Sequence, residues 1–287
     1  MLNNIQETID SLNHELTYRR KLREHEKNLP PLDAGDRLIV NTLKRDGIYM
    51  TNLAELGLTS TSQLLSAAYR LLPTMGRSDY QITQENHPEI YTVTDIAEFY
   101  NWGSETRLIS IIENYIGLPV AFHGVHLRKD FPNENQFATL LWHRDIEDRR
   151  VLKVIVYLND VDTEHGPFEY VPEAFTSMYG LNYYRIKHKI KNTGGINDET
   201  LNEIVPKSAW KSCTGAAGTV ILVDTRRLLH HGTLRTQERS TLFFAYTANP
   251  PKQPKLCTHF WDDYYPKPEV VSQLKEVNMD TPLTLVK

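Results

Sequence analysis

The 287-residue sequence has few cysteines, no long apolar run and no large excess of charge of either sign. Its two cysteines, Cys213 and Cys257, stand in no disulfide-framework or metal-binding pattern, which favours a reducing compartment, the cytoplasm. No run approaches the roughly 18 apolar residues of a membrane-spanning helix. With 32 basic and 36 acidic residues, a net charge of −4, overall basicity does not indicate nucleic-acid binding. We therefore expect binding to neither membrane nor nucleic acid. The oligomeric state is not predicted.

The first part of the chain carries helical patterns. The clearest helix is expected at about 105–116, where apolar residues recur every three or four positions and form one stripe for packing on a sheet. Ser104 is expected to cap this helix, and Gly117 to end it. The stripe consists of Leu108, Ile111, Ile112 and Tyr115. Residues 1–120 are therefore predicted to be mostly helical.

Further along, the pattern changes to short β-branched and aromatic runs separated by turn residues. The runs are AFHGVHLRK, FATLLWH, VLKVIVYLNDV, FEYVP, TVILVD and TLFFAYTA. No helical pattern separates each pair of runs, which favours an antiparallel sandwich or barrel over a parallel α/β sheet. We predict a mainly β fold with flanking α-helices: a double-stranded β-helix (a jelly roll, cupin-like) wrapped by the N-terminal helices.

The whole chain, 1–287, is expected to form a single domain. Its helical part covers 1–120, its jelly-roll core 121–250 and its C-terminal extension 251–287. Within the core, residues 173–212 have little strand character, and a connection of this length is typical of a lid or binding loop.

His143 and Asp145 stand two residues apart at the end of an expected strand. Side chains at positions i and i+2 of a strand project to the same face, so the imidazole and the carboxylate lie side by side. A histidine from a distant strand would complete two histidines and one carboxylate, a set that leaves open positions on a metal and suits non-haem Fe(II). The adjacent residues His230 and His231 are the candidates, and the spacing alone does not choose between them.

The ordered set of motifs resembles the phytanoyl-CoA dioxygenase-like family of Fe(II)/2-oxoglutarate-dependent oxygenases over roughly residues 40–250. The motifs are Asp46-Gly47-Ile48, Trp142-His143-Arg144-Asp145, Leu158-Asn159-Asp160, Glu164-His165-Gly166-Pro167, Val171-Pro172, His231-Gly232 and Arg239. The chain departs from the family after Val171-Pro172, where the family often continues with Gly-Ser-His and this chain has Glu173-Ala174-Phe175. The entry to the lid is therefore expected to differ.

The resemblance implies that His143, Asp145 and His231 hold Fe(II) and that 2-oxoglutarate and O2 bind at the same metal. His231 is preferred because the family places a small residue directly after the distal ligand, and Gly232 follows His231 here. His230 would then be an ordinary packed histidine.

The far carboxylate of 2-oxoglutarate needs a partner in a dry barrel, and the planar guanidinium of Arg239 is expected to supply it. Arg235 is the second candidate for this role; the alternative interpretation is that Arg235 is a charged loop residue facing solvent. Thr233 is expected to donate its hydroxyl to the same carboxylate, unless it bonds only its own turn. His126 or Arg128 could also reach this pocket.

The resemblance implies a dioxygenase that hydroxylates an aliphatic C–H of a small molecule and releases succinate and CO2. Asp145 retains the carboxylate that related halogenases lack, so halogenation is not expected. Desaturation and epimerisation share the hydrogen-abstraction step and stay open. Two alternatives are of another class: a jelly-roll protein that binds a metal such as zinc without redox chemistry, and a sensor of 2-oxoglutarate.

The substrate is expected to be a specialised, natural-product metabolite, because the lid departs from the family pattern. An acyl-CoA and an amino acid are the alternatives. Trp142, Tyr183 and Arg185 are the expected substrate contacts, since the lid is basic and aromatic and would suit an anionic molecule. The simpler interpretation of the lid is a solvated loop in which Lys and Ile alternate as in a strand.

Overall fold

The computed structural model describes residues 2–76, 87–191, 193–262 and 264–268, with side chains described from Leu12 onward. Residues 269–287 of the expected C-terminal extension and Asn192 of the expected lid lie outside the described residues. Within the described ranges, no helix is long and apolar enough to cross a membrane.

The strands of the described residues are short and lie mostly after residue 119. They are β1 (Ile48–Asn52), β2 (Glu89–Thr92), β3 (Val120–Asp130), β4 (Leu152–Tyr157), β5 (Phe168–Val171), β6 (Lys211–Cys213), β7 (Thr219–Asp224), β8 (Leu229–Gly232) and β9 (Arg239–Ala248).

The helices lie before the core, in the insert between β5 and β6, and after β9. They are α1 (Leu2–His25), α2 (Ala34–Asp46), α3 (Leu53–Leu56), α4 (Thr61–Leu71), α5 (Ala97–Gly103), α6 (Thr106–Ile116), α7 (Glu173–Thr176), α8 (Leu181–Ile190), α9 (Asp198–Asn202) and α10 (Pro254–Trp261).

Helix α6 forms as its sequence pattern predicts. It lies within one residue of the expected bounds, and the whole expected stripe is buried in the cluster that joins the helices to the large sheet. Gly117 ends it with a left-handed φ of +81°, and its backbone N–H donates to the carbonyl of Glu113. The expected cap was wrong: the Ser104 hydroxyl donates to the Tyr100 carbonyl, and Glu105 occupies the N-cap position.

Two antiparallel sheets face each other. The large sheet has the order β1-β7-β4-β9-β3-β2, and the small sheet has the order β6-β5-β8. Alternation along β4 separates the faces of the large sheet: Val154 and Val156 pack with helix residues such as Ile111, whereas Ile155 packs with Phe168 of the small sheet. This antiparallel core with flanking helices confirms the predicted jelly-roll class.

The small sheet extends beyond β8 through two isolated antiparallel bridges. His143 pairs with His230, and Trp142 pairs with Ile196 of the insert. The segment that carries the expected metal residues is thus hydrogen-bonded directly to β8. The two residue pairs fix which side chains face the interior between the sheets.

Candidate active site

Three metal-ligating side chains meet at the end of the small sheet. The imidazoles of His143 and His230 and the carboxylate of Asp145 each offer one atom, and these atoms lie within 4.8 Å of one another. Oδ1 of Asp145 is 3.7 Å from His143 Nε2 and 3.9 Å from His230 Nε2. Ligand atoms about 2.1 Å from one ion stand roughly 3–4 Å apart, so one small ion fits among them.

The distal residue of this group is His230, which corrects the expectation that His231 is the third ligand. His143 and His230 are directly opposite in an antiparallel bridge, so their side chains share a face. The next residue, His231, points to the other face. Its Nδ1 lies 2.9 Å from the Leu140 carbonyl oxygen, and its Nε2 lies 3.0 Å from Glu169 Oε2.

Backbone carbonyls orient both histidines of the group. Nδ1 of His143 donates to the Leu141 carbonyl at 2.7 Å, and Nδ1 of His230 donates to the Leu228 carbonyl at 3.1 Å. Protonation at Nδ1 leaves each Nε2 with a lone pair directed at Asp145. This is the tautomer that an imidazole needs in order to bind a metal through Nε2.

Burial and charge keep these groups in the protonation states that bind metals. Burial lowers the pKa of His143 and lowers that of His230 well below its usual value, so both imidazoles are neutral. Burial alone would raise the pKa of Asp145, but the charge of Lys153 and its hydrogen bond to the carboxylate hold that pKa well below its usual range. A carboxylate and two neutral imidazoles result.

Lys153 is a site residue that the sequence analysis missed. Its Nζ lies 2.5 Å from Asp145 Oδ2, and the charges of Asp145 and Glu147 raise its pKa despite burial. It is the one charged residue of β4, and the alternation that places Ile155 on the inner face places Lys153 there too. A single lysine within an otherwise apolar strand was the feature of the sequence that could have indicated this residue.

The three ligand residues open onto a cavity of about 430 Å³ between the sheets. Apolar and aromatic side chains form much of its wall, while the described C-terminal segment contributes Phe260, Trp261 and Tyr265. Trp261 stacks on His126 with ring centroids 4.3 Å apart. This volume lies at the lower end of the roughly 300–1,000 Å³ of small-molecule sites.

Arg239 and Arg128 line the same cavity, and both are bound to one buried carboxylate, Asp130. Arg128 Nε donates to Oδ1 at 2.7 Å, and Arg239 Nη2 donates to Oδ2 at 2.9 Å. Arg235, which is 3% exposed, lies 2.5 Å from Oδ1. Burial works against the charge of Asp130, yet the three guanidiniums hold its pKa well below its usual range.

This cluster carries more positive than negative charge. Among the described residues, Asp130 is the only carboxylate in ion-pair contact with the three guanidiniums. Burial, partly offset by Asp130, lowers the pKa of Arg235 to about 10. The excess of positive charge fits an anionic ligand such as a carboxylate at this end of the cavity.

Two expectations about this end need correction. Thr233 does not face the cavity: its hydroxyl donates to the Pro167 carbonyl at 3.2 Å, because it belongs to the turn beside β5. Arg235 is not a solvent-facing loop charge, since it is buried beside Asp130. His126 and Arg128 do line the cavity.

The expected substrate contacts lie away from the cavity wall. Trp142 is fully buried on the face opposite His143, where its indole stacks on His231 and donates to Asp198 Oδ1 at 2.8 Å. Arg185 is exposed, with its guanidinium near the Glu203 carbonyl. Trp142 faces away from the cavity because adjacent residues of an extended segment point to opposite faces, and its neighbour His143 points inward. Arg185 faces away because it lies on the outer side of α8.

Tyr183 is also on α8 and approaches the cavity only indirectly. Its ring lies 5.4 Å from the guanidinium carbon of Arg144, and Arg144 itself lines the cavity. The Lys–Ile alternation of this segment lies in a helix, not in a strand-like loop, so that interpretation was wrong. Two basic residues beside the ligand group line the cavity: Arg144, the next residue after His143, and Lys153, which pairs with Asp145.

Comparison with protein-family models finds no match, and comparison with curated proteins finds none either. Solved structures do match. EctD from S. alaskensis with bound Fe has a TM-score of 0.55 at 20% identity, with 78% of this chain and 80% of that chain covered. EctD with 2-oxoglutarate and 5-hydroxyectoine has a TM-score of 0.55 at 21% identity, covering 83% and 86%.

HygX from Streptomyces hygroscopicus with nickel, 2-oxoglutarate and hygromycin B matches with a TM-score of 0.53 at 13% identity. The match covers 74% of this chain and 87% of HygX. At these identities the likeness concerns the fold. The chain shares the jelly-roll fold of EctD and HygX.

Proposed function

We propose that this protein is an Fe(II)/2-oxoglutarate-dependent dioxygenase that hydroxylates an aliphatic C–H of a small molecule. The overall reaction is R–H + 2-oxoglutarate + O2 → R–OH + succinate + CO2. The observation that carries the proposal is the convergence of His143, Asp145 and His230 on a cavity whose wall also contains Arg239. Two histidines and one carboxylate with open positions suit Fe(II) and its cosubstrate.

When bound, Fe(II) with its cosubstrate would supply the oxidation of the C–H bond. His143, Asp145 and His230 would hold the ion, since all three come from the end of the small sheet and the adjoining segment. The carbonyls behind His143 and His230 prevent those rings from turning. Phe260, Trp261 and Tyr265 limit the access of water to the same space.

The far carboxylate of 2-oxoglutarate would be received by Arg239 and Arg128. Both guanidiniums are buried and fixed by Asp130, so they present donors without loss of side-chain freedom on binding. Arg239 keeps the role that the sequence suggested, with a second arginine beside it. Thr233 has no part in this proposal.

The substrate is proposed to be a specialised small metabolite. The cavity volume supports a small molecule, and the HygX and EctD structures contain hygromycin B and 5-hydroxyectoine respectively. Arg144, in the cavity wall, would favour an anionic group on the substrate. An acyl-CoA or amino acid substrate, and desaturation or epimerisation as the outcome, are the alternatives within the same chemistry. The buried free thiols of Cys213 and Cys257 suit a cytoplasmic setting.

The test is an anaerobic absorption titration of the apoprotein with Fe(II) and 2-oxoglutarate. A metal-to-cosubstrate charge-transfer band should appear in the wild type and disappear in His143→Ala and His230→Gln. His231→Gln is the matched control: it should keep the band, because His231 faces the other side of β8. Arg239→Ala should weaken cosubstrate binding by about 10- to 150-fold, the range for lost charge-assisted hydrogen bonds of roughly 1.5–3 kcal/mol.

Two results would contradict the proposal. Tight zinc binding without any band would indicate a jelly-roll protein that binds metal without redox chemistry. A band without succinate release, across a panel of small acids, amines and glycosides, would favour a sensor of 2-oxoglutarate. Loss of the band in His231→Gln but not in His230→Gln would restore the original choice of ligand.

A further inference from the structure

Asp145 divides its two oxygens between two partners. Oδ1 is the atom that faces His143 Nε2 and His230 Nε2. Oδ2 lies 2.5 Å from the Lys153 ammonium. Apart from this ion pair, Oδ2 has no hydrogen-bond partner among the described residues. Lys153 is therefore the group that determines how the carboxylate is turned.

Lys153 is itself held in place. It extends from the inner face of β4 and is surrounded by the cavity wall, with Nζ 5.7 Å from the ring centroid of Trp261. Its side chain is 16% exposed, and that of Asp145 is 9% exposed. Water screens such a pair only weakly, so the attraction persists as an orienting force.

We infer that Lys153 is a positioning residue that makes Asp145 bind metal through Oδ1 alone. The inference rests on the proposed function, in which 2-oxoglutarate needs two open positions and O2 needs a third. Three protein atoms on an octahedral ion leave three such positions. A carboxylate free to bind through both oxygens would take one of them.

This inference predicts a selective defect. In Lys153→Met the chain keeps a side chain of similar length but loses the charge that holds Oδ2. Binding of 2-oxoglutarate should continue, since two positions remain, whereas Oδ2 of Asp145 should compete with a diatomic ligand for the third position. Changes to residues that orient metal ligands typically alter affinity or activity by about 10- to 100-fold.

The experiment measures nitric oxide, a stable stand-in for O2, on the Fe(II) protein with and without 2-oxoglutarate. The absorption band reports 2-oxoglutarate, and the electron paramagnetic resonance signal of the iron–nitrosyl complex reports the remaining position. We expect Lys153→Met to keep the band and to bind nitric oxide about tenfold more weakly than the wild type. Lys153→Arg should recover most of the nitric oxide affinity, because a guanidinium also holds Oδ2.

Lys211→Met, at an exposed lysine of β6, is the matched control and should behave as wild type. Thermal unfolding of each apoprotein separates misfolding from loss of positioning. Unchanged nitric oxide affinity in folded Lys153→Met, with the band present, would overturn the inference while leaving the proposed function intact. Absence of the band in the wild type would contradict the proposed function and, because the inference rests on it, would overturn the inference as well.

Discussion

At the residue scale, adjacent positions with the same side chain have opposite environments. His230 and His231 differ only in which face of β8 they occupy, and a shift of one residue in register would exchange them. The sequence identified His143 and Asp145 as neighbours because the i, i+2 rule needs no partner strand. It could not choose the distal histidine, because that choice depends on the pairing of His143 with His230 across the sheet.

The role of Asp130 could not be predicted from the sequence either, because it depends on three arginines from two separate segments. Asp130→Asn should cost about 3–5 kcal/mol of unfolding free energy, because it leaves buried guanidiniums without their carboxylate. Urea unfolding is the measurement. Asp46→Asn, in the exposed pair with Arg45, is the control and should cost at most about 1 kcal/mol.

Added 2-oxoglutarate should recover part of the loss in Asp130→Asn, since its carboxylate supplies negative charge at the same arginines. Equal costs for the two variants would show that Asp130 is not the charge on which the cluster depends.

At the element scale, periodicity predicted what each segment buries but not what it contacts. Helix α6 lay where its stripe placed it, because a one-sided apolar pattern specifies a packed helix by itself. The segment of Tyr183 and Arg185 formed a helix where the alternation resembled a strand, because a short Lys–Ile pattern fits both periods. The position of α8 relative to the cavity depends on tertiary packing that no local pattern encodes.

Trp142 tests the assignment of faces on the segment before Asp145. Trp142→Phe removes the hydrogen bond from the indole to Asp198 and should cost about 1–2 kcal/mol in urea unfolding. The charge-transfer band should not change, because Trp142 lies behind the ligand group. His143→Ala, one residue away on the other face, is the contrast and should abolish the band. If folded Trp142→Phe loses the band, the indole contributes to the site after all.

At the scale of the whole molecule, stability should fall in mild acid. Burial lowers the pKa of His123 and of His126 to about 4. The unfolded chain takes up protons near pH 6.5, so between about pH 6.5 and 4 it binds more protons than the folded protein. The stability present above pH 6.5 is therefore lost as the pH falls, by up to about 3 kcal/mol for each histidine.

Urea unfolding of the apoprotein at pH 7.5, 6 and 5 measures this loss. His126→Phe should reduce the slope between pH 6.5 and 4, because it removes one of the buried histidines whose pKa is lowered. His259→Phe, at an exposed position, should leave the slope unchanged. An identical slope in His126→Phe would show that His126 is not the source of the acid sensitivity.

The bridge between His143 and His230 would give the proposed metal a role in folding. These residues are far apart in sequence, and each donates its backbone N–H to the carbonyl of the other at 3.0 Å. An ion bound by both side chains would cross-link the two ends of the intervening chain. The ion would therefore bind with full affinity only after the His143 and His230 segments have paired. Metal binding and folding would then be linked, and metal in solution would stabilise the fold in which His143 is paired with His230.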